Sequence, residues 1–188
     1  MANWAITEYE IEGNTESIDK IFDAILHHNV REHSSENWEG NVLDKLGIEF
    51  ESKEHPYSMR GFIEDASIIS DGNISMCAEE AWGATDFGEV LEKNFPDVKV
   101  YWMSEESGCE VYETNDKEGR YFQDRYYVDA YINNNIEDEY FSKKEDAFKY
   151  ISRITKGKVN NQEEIDAFND EHENDDDYIK IFEYKIVD

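Results

Sequence analysis

Two β-like runs, Arg60 to Ser70 and Asn73 to Ala81, stand either side of Asp71-Gly72, and a helical pattern, a proline break and another β-like run follow them. Asp-Gly suits the positive φ angles of a tight hairpin turn, so the two runs are expected to pair. Thr85 or Asp86 caps a helix from Asp86 to Phe95 in which Phe87, Val90, Leu91 and Phe95 share one face, and Pro96 ends it. Beyond Pro96-Asp97, Val98, Val100 and Trp102 alternate with Lys99, Tyr101 and Met103, so one side of this strand, Val98 to Met103, faces a core.

The residues before the hairpin complete the pattern. Trp4 to Ile11 is rich in β-favouring residues and stops at Gly13-Asn14. Asn14 caps a helix running to about His28, with Ile18, Ile21, Phe22, Ile25 and Leu26 on one face. Residues 29–58 read as an insertion beside the domain, with a short helix at Val42 to Leu46 and an extended piece at Ile48 to Phe50. The order is then βαββαβ, which predicts an α+β protein with a ferredoxin-like antiparallel sheet and its helices on one face.

Downstream, Glu105 to Cys109 turns the chain. Glu110 to Thr114 and Arg120 to Ile132 are expected to form a hairpin extending the sheet at its edge. Ser142-Lys143-Lys144-Glu145 has the form of a capping box, opening a helix with Ala147, Phe148, Ile151 and Ile154 inward. A shorter helix starts within Asn160 to Glu163 and carries Ile165 and Phe168, Asp175 to Asp177 is a turn, and Tyr178 to Val187 is a last strand. Residues 1–132 therefore form the core with its insertion and hairpin, and residues 133–188 a helix-helix-strand element packed on it.

Charge restricts the partners. With 46 acidic against 18 basic residues the net charge is -28, and the excess runs through all three thirds of the chain. Such a surface repels nucleic acid and anionic membranes and attracts basic protein surfaces. Cys77 and Cys109 both fall in β runs and read as buried free thiols, too few for a disulfide framework. Met1-Ala2-Asn3-Trp4 has none of the character of a signal peptide, and no run reaches the roughly 18 apolar residues of a membrane span, so a cytoplasmic protein is expected.

No catalytic, cofactor-binding or metal-ligating residue is assigned. The chain lacks a Gly-rich phosphate loop, a Gly-x-Ser-x-Gly elbow, His-Glu-x-x-His and Cys-x-x-Cys. Of its histidines (His27, His28, His33, His55 and His172), the first three cluster without helical ligand spacing and read as a solvated helix end. Glu79-Glu80, Glu105-Glu106 and Glu163-Glu164 read as solvated pairs. Asp175-Asp176-Asp177 lacks the glycine and distant glutamate of a calcium loop. Arg120-Tyr121-Phe122, Arg125-Tyr126-Tyr127 and Tyr131 interleave cations and aromatics, and at this net charge they read as strand aromatics packed across a sheet rather than a base-stacking platform.

Asn3-Trp4 before a strand and Gly13, Ala81-Trp82 closing a strand, a helix ending in Phe95-Pro96-Asp97, and an aromatic strand with Gly108 after acidic residues together resemble the YubB-like ferredoxin-fold family of plasmids, phages and mobile elements. The likeness covers roughly residues 1–132, and departs at Gly83-Ala84-Thr85, where the family often has Ser-Pro-Pro. It implies the fold and a mobile-element setting, and transfers no catalytic residue. The function expected is that of a non-enzymatic acidic interaction protein whose partner is a basic, nucleic-acid-binding protein that it engages as a nucleic-acid mimic. The alternative is a small-ligand or cation-binding module with weak hydrolytic activity, built around Trp82, Trp102 and nearby acidic groups.

Overall fold

In the first strand, β1 (Trp4–Glu12), Ala5, Thr7, Tyr9 and Ile11 are buried while Trp4, Ile6 and Glu8 are exposed, as alternation requires. This computed structural model describes residues 3–53, 56–173 and 176–187. Met1, Ala2, His55 and Asp175 lie outside them, and with Asp175 part of the expected turn at Asp175 to Asp177.

After β1, Asn14 Oδ1 accepts the Ser17 N–H at 3.0 Å and opens α1 (Thr15–His27). Asp97 braces the same turn, accepting from Asn14 N at 3.2 Å and Ser17 Oγ at 3.1 Å. Ile18, Ile21, Ala24 and Ile25 are buried, but Leu26, expected on the same stripe, is exposed in the last turn. Asn14→Ala should cost about 1 kcal/mol in urea unfolding. An unchanged midpoint would mean that Asp97 alone holds this helix start.

Next come α2 (Glu39–Leu46), the hairpin β2 (Gly61–Ser70) and β3 (Asn73–Ala81), α3 (Phe87–Asn94), β4 (Lys99–Glu106) and β5 (Val111–Thr114). At the hairpin, Gly72 has φ 86 and its carbonyl accepts from Gly13 N at 3.0 Å. A Cβ there would stand 2.6 Å from the Gly13 oxygen, so glycine is required on both counts. The strand order begins β2-β3-β1-β4-β5, with β2·β3, β1·β3, β1·β4 and β4·β5 antiparallel. The helices α1, α2 and α3 share one core with the buried residues of β1, β3 and β4. The insertion is part of that core: Val42, Leu43, Ile48 and Phe50 are buried in it. Arg31 ties the insertion together through a bidentate pair with Asp44 at 2.8 Å, a bond to Glu51, and stacking over Trp38 and Phe50.

The chain divides into two compact units, Met1–Lys117 with Ile186–Asp188, and Glu118–Lys185. The second contains β6 (Tyr126–Ile132), β7 (Asn135–Phe141), α4 (Lys144–Ile154), α5 (Gln162–Glu171) and β8 (Tyr178–Glu183), and the short β9 (Lys185–Ile186) lies beside β5. Val128, Ala130, Ala147, Ile151, Ile165 and Ile179 are buried together in its core.

Here the expected hairpin extension is corrected. β6 does not pair with β5; it is the centre of a three-stranded sheet, β7-β6-β8. Asn133 and Asn134 have φ 51 and 65, and as a two-residue loop of the favoured hairpin type they fold Asn135–Phe141 back as a strand that the sequence reading lacked. The capping box is corrected too. Lys143, not Ser142, caps α4, without a side-chain bond, and Ser142 Oγ instead lies 3.4 Å from Asp124 Oδ1. A reciprocal cap occurs on α5, where Asn161 accepts from Glu164 N at 3.0 Å and Glu164 accepts from Asn160 N at 2.6 Å. The last strand is broken at Tyr184, whose N–H donates to Arg125.

Candidate functional site

With three helices on one face of the large sheet, the alternate residues of its strands meet on the other. Register assembles them into rows: Phe62, Glu79, Ile6 and Glu105 in one, Asp65, Cys77, Glu8 and Met103 in the next, Ser67, Ser75, Glu10 and Tyr101 in a third. Strand neighbours in a row stand about 4.8 Å apart and successive rows about 6.8 Å apart. Five of these twelve positions carry carboxylates and none a cation. Two cations stand at the ends of this face: Lys99, in register with Glu12 and bonded to Glu92, and Arg60, stacked on Trp82 at 5.3 Å. The helical side mixes signs, with Lys20, Arg31, Lys45 and Lys93 among its acids.

The titration directions on this face follow from crowding. Burial and then the charges of Glu8, Glu64, Asp65 and Glu79 push the Cys77 thiol up. Burial raises the Glu10 carboxyl, opposed by hydrogen bonds from Ser75 and Asn73. At one end Trp4 packs on Phe62, with ring centroids 5.3 Å apart, beside Ile6, which is 44% exposed.

On the opposite, core-facing side lies a group that the sequence reading missed. Glu80, expected as half of a solvated pair, is 0% exposed, and so is Glu39 at the start of α2; Glu79 is exposed as expected. Thr85 Oγ1 stands 2.7 Å from Glu80 Oε1 and 2.9 Å from Glu39 Oε2. A hydroxyl has one proton, so both bonds exist only if one carboxyl brings its own. Glu80 Oε1 already accepts from Tyr9 Oη at 2.7 Å and Thr85 N at 3.1 Å. Glu80 is thus the acceptor and Glu39 the neutral acid, donating to Thr85. Burial, then the charge of Glu80, pushes the Glu39 carboxyl well above its usual range, and the same two causes raise the Tyr9 hydroxyl. Glu39 Oε1 and Glu80 Oε2 are buried with no hydrogen-bond partner among the described residues. Closed to solvent, the pair holds a proton inside the core and fastens α2 and the residues before α3 to β3.

The remaining sequence candidates fall elsewhere. Trp82 is exposed under Arg60 while Trp102 packs against the first core, and neither lines the cleft of about 380 Å³ at Arg31, His33, Trp38 and Phe62. Cys77 is half-buried in β3, but Cys109 is an exposed residue of the turn before β5. That turn is closed by Glu106, whose carboxylate accepts from Gly108 N and Cys109 N, which ends β4 before the cysteine. His28 bonds the carbonyls of Ala24, Ile25 and Glu36, closing the end of α1. Among the described residues no group of three or more His, Cys, Asp or Glu is placed to hold a metal ion, and no helix is long and apolar enough to cross a membrane.

No family model, curated protein or solved structure matches the chain.

Proposed function

We propose that this chain is a non-enzymatic interaction protein that turns the β2-β3-β1-β4 part of the sheet face away from its helices to a basic, nucleic-acid-binding partner and occupies that partner's groove as a nucleic acid would. The observation that carries this reading is the set of Glu8, Glu10, Asp65, Glu79 and Glu105 on one sheet face, in three rows that contain no basic residue. Five of the twelve residues in the three rows are acidic and none is basic, on a chain whose net charge is -28. Carboxylates held at strand and row spacings on a sheet offer part of what a basic groove binds in a phosphate backbone, negative charge at fixed intervals. Trp4, Ile6 and Phe62 at one end supply apolar anchors of the kind that dominate protein interfaces.

The reading includes the fold name and the setting. The order β2-β3-β1-β4, antiparallel throughout and covered on one side by α1 and α3, supports a ferredoxin-like core. The YubB-like resemblance and its mobile-element context belong to the same proposal, and a cytoplasmic partner fits both.

Affinity capture from the source lysate tests it, with the chain and its Glu8→Gln, Glu79→Gln, Glu105→Gln triple variant as baits. Basic nucleic-acid-binding proteins should be recovered at low salt, displaced by added DNA or RNA, and lost as salt rises or when the triple variant is the bait. Equal recovery on both baits would remove this sheet face from the function.

A further inference from the structure

The tyrosine-rich run does pack across a sheet, yet on the side away from the helices. Val128, Ala130 and Ile132 of β6 enter the core with α4 and α5, so Tyr127, Asp129 and Tyr131 point to the opposite face. Register extends these into rows: Tyr140, Tyr127 and Phe182; then Asp138, Asp129 and Lys180; then Ile136, Tyr131 and Tyr178. The first row is a band of near-parallel rings, with Tyr127 and Tyr140 stacked at 4.7 Å and Tyr127 and Phe182 at 6.2 Å. Tyr140 is 39% exposed and Ile136 76%. Two aromatic rows therefore flank a charged one on a face open to solvent.

We propose that this face binds arginine side chains of an extended basic protein segment, a guanidinium lying on the outward side of the Tyr140 ring, at the β7 end of the stack, with Asp138 as its carboxylate partner. The proposal rests on the reading of the chain as a binder of basic proteins and adds a second contact to it. Ring and carboxylate lie one row apart, about 6.8 Å, which a single arginine spans when it stacks flat and turns its edge to the acid. The face already holds a cation in this manner: the Lys180 ammonium stands 5.9 Å from the Phe182 centroid and 6.0 Å from that of Tyr178. Asp129 accepts from the Tyr178 hydroxyl at 2.9 Å, whereas Asp138 is exposed at the β7 edge. Nucleobases would use the same rings, but they arrive with phosphates that the charge of -28 repels. A guanidinium brings the opposite sign and the same flat shape.

Isothermal titration of the full chain with hexa-arginine and hexa-lysine peptides at physiological salt reads this directly, since charge attraction is common to both peptides and ring stacking favours arginine. Hexa-arginine should bind about fivefold more tightly. In Tyr140→Leu, which keeps apolar bulk and removes the ring, the two affinities should fall within about twofold, with unchanged far-ultraviolet circular dichroism; Asp138→Asn should weaken arginine more than lysine. Equal affinities on the unaltered chain, or an arginine preference that survives Tyr140→Leu, would overturn the proposal. So would tighter binding of a single-stranded oligonucleotide than of either peptide. An arginine preference abolished by the Glu8, Glu79, Glu105 triple variant and untouched by Tyr140→Leu sinks this site and leaves the large-sheet reading standing. The reverse pattern retains this site and, with equal lysate recovery on both baits, sinks the other.

Discussion

Glu39→Gln should stabilise the chain at pH 8, while Glu80→Leu should destabilise it by about 3 kcal/mol, although both residues are fully buried glutamates of one cluster. The asymmetry comes from the proton count. Glu80 Oε1 accepts from Tyr9, Thr85 N and Thr85 Oγ1, and leucine would leave those donors without an acceptor in a place water does not reach. Glu39 is the donor to Thr85, a role the glutamine amide fills without a proton to lose. The folded-state value of Glu39 is raised above its unfolded one. The stability held by its proton is therefore fully present below the unfolded value of about 4.3 and is lost as pH rises through the folded value, at a slope approaching ~1.4 kcal/mol per pH unit. This runs opposite to an ion-paired carboxylate, which loses stability in acid. Urea unfolding followed by tryptophan fluorescence is a suitable measurement, because the four tryptophans, Trp4, Trp38, Trp82 and Trp102, all lie in the first unit and report on it alone. The advantage of Glu39→Gln over the unaltered chain should be near zero around pH 4 and grow towards pH 8. A difference that does not change with pH, or a Glu39→Gln variant as damaged as Glu80→Leu, would refute the assignment of the proton to Glu39.

Half of that cluster was written in the alternation of β3. Ile74, Met76 and Ala78 point to the core, and two-residue periodicity carries the series to Glu80. Reading Glu79-Glu80 as one solvated pair ignored that adjacent strand residues face opposite ways. Glu39 gave no such signal: it opens a helix of 8 residues, and its burial depends on where α2 lands against β2 and Thr85, which is a tertiary fact. The same division holds elsewhere. Glu8, Glu10 and Glu12 are visibly on one side of β1, but Glu79 and Glu105 join Ile6 in one row only once strand register is known. Local punctuation explains the hairpin error. Asn133-Asn134 is a turn signal too, weaker than Asp71-Gly72 because asparagine takes positive φ less readily than glycine, and reading it would have ended β6 at Ile132 and begun a strand at Asn135.

Gly61→Ala should cost about 3 kcal/mol, a large effect for one methyl group, and Glu39→Ala should remove nearly all of that cost. Gly61 begins β2 and lies in register with Glu80. A Cβ at this position would stand 2.3 Å from Glu39 Oε1 and 2.5 Å from its Cδ, closer than non-bonded atoms approach. A carboxyl at the end of a free side chain would swing aside at little cost. This one is held by Thr85 on one oxygen and enclosed on all sides, so the methyl can enter only by breaking that bond or displacing the strand. In a Glu39→Ala background the three atoms nearest to that Cβ are gone. The two changes together should then cost little more than Glu39→Ala alone, a coupling of about 2–3 kcal/mol read from urea midpoints of the four chains in the cycle. Costs that add to within about 0.5 kcal/mol would mean that the Glu39 carboxyl does not occupy the place a side chain at residue 61 would take. With coupling of the expected size, the glycine at the head of β2 is explained by the acid it accommodates, and the insertion helix is fastened to the sheet through a proton rather than through apolar packing alone.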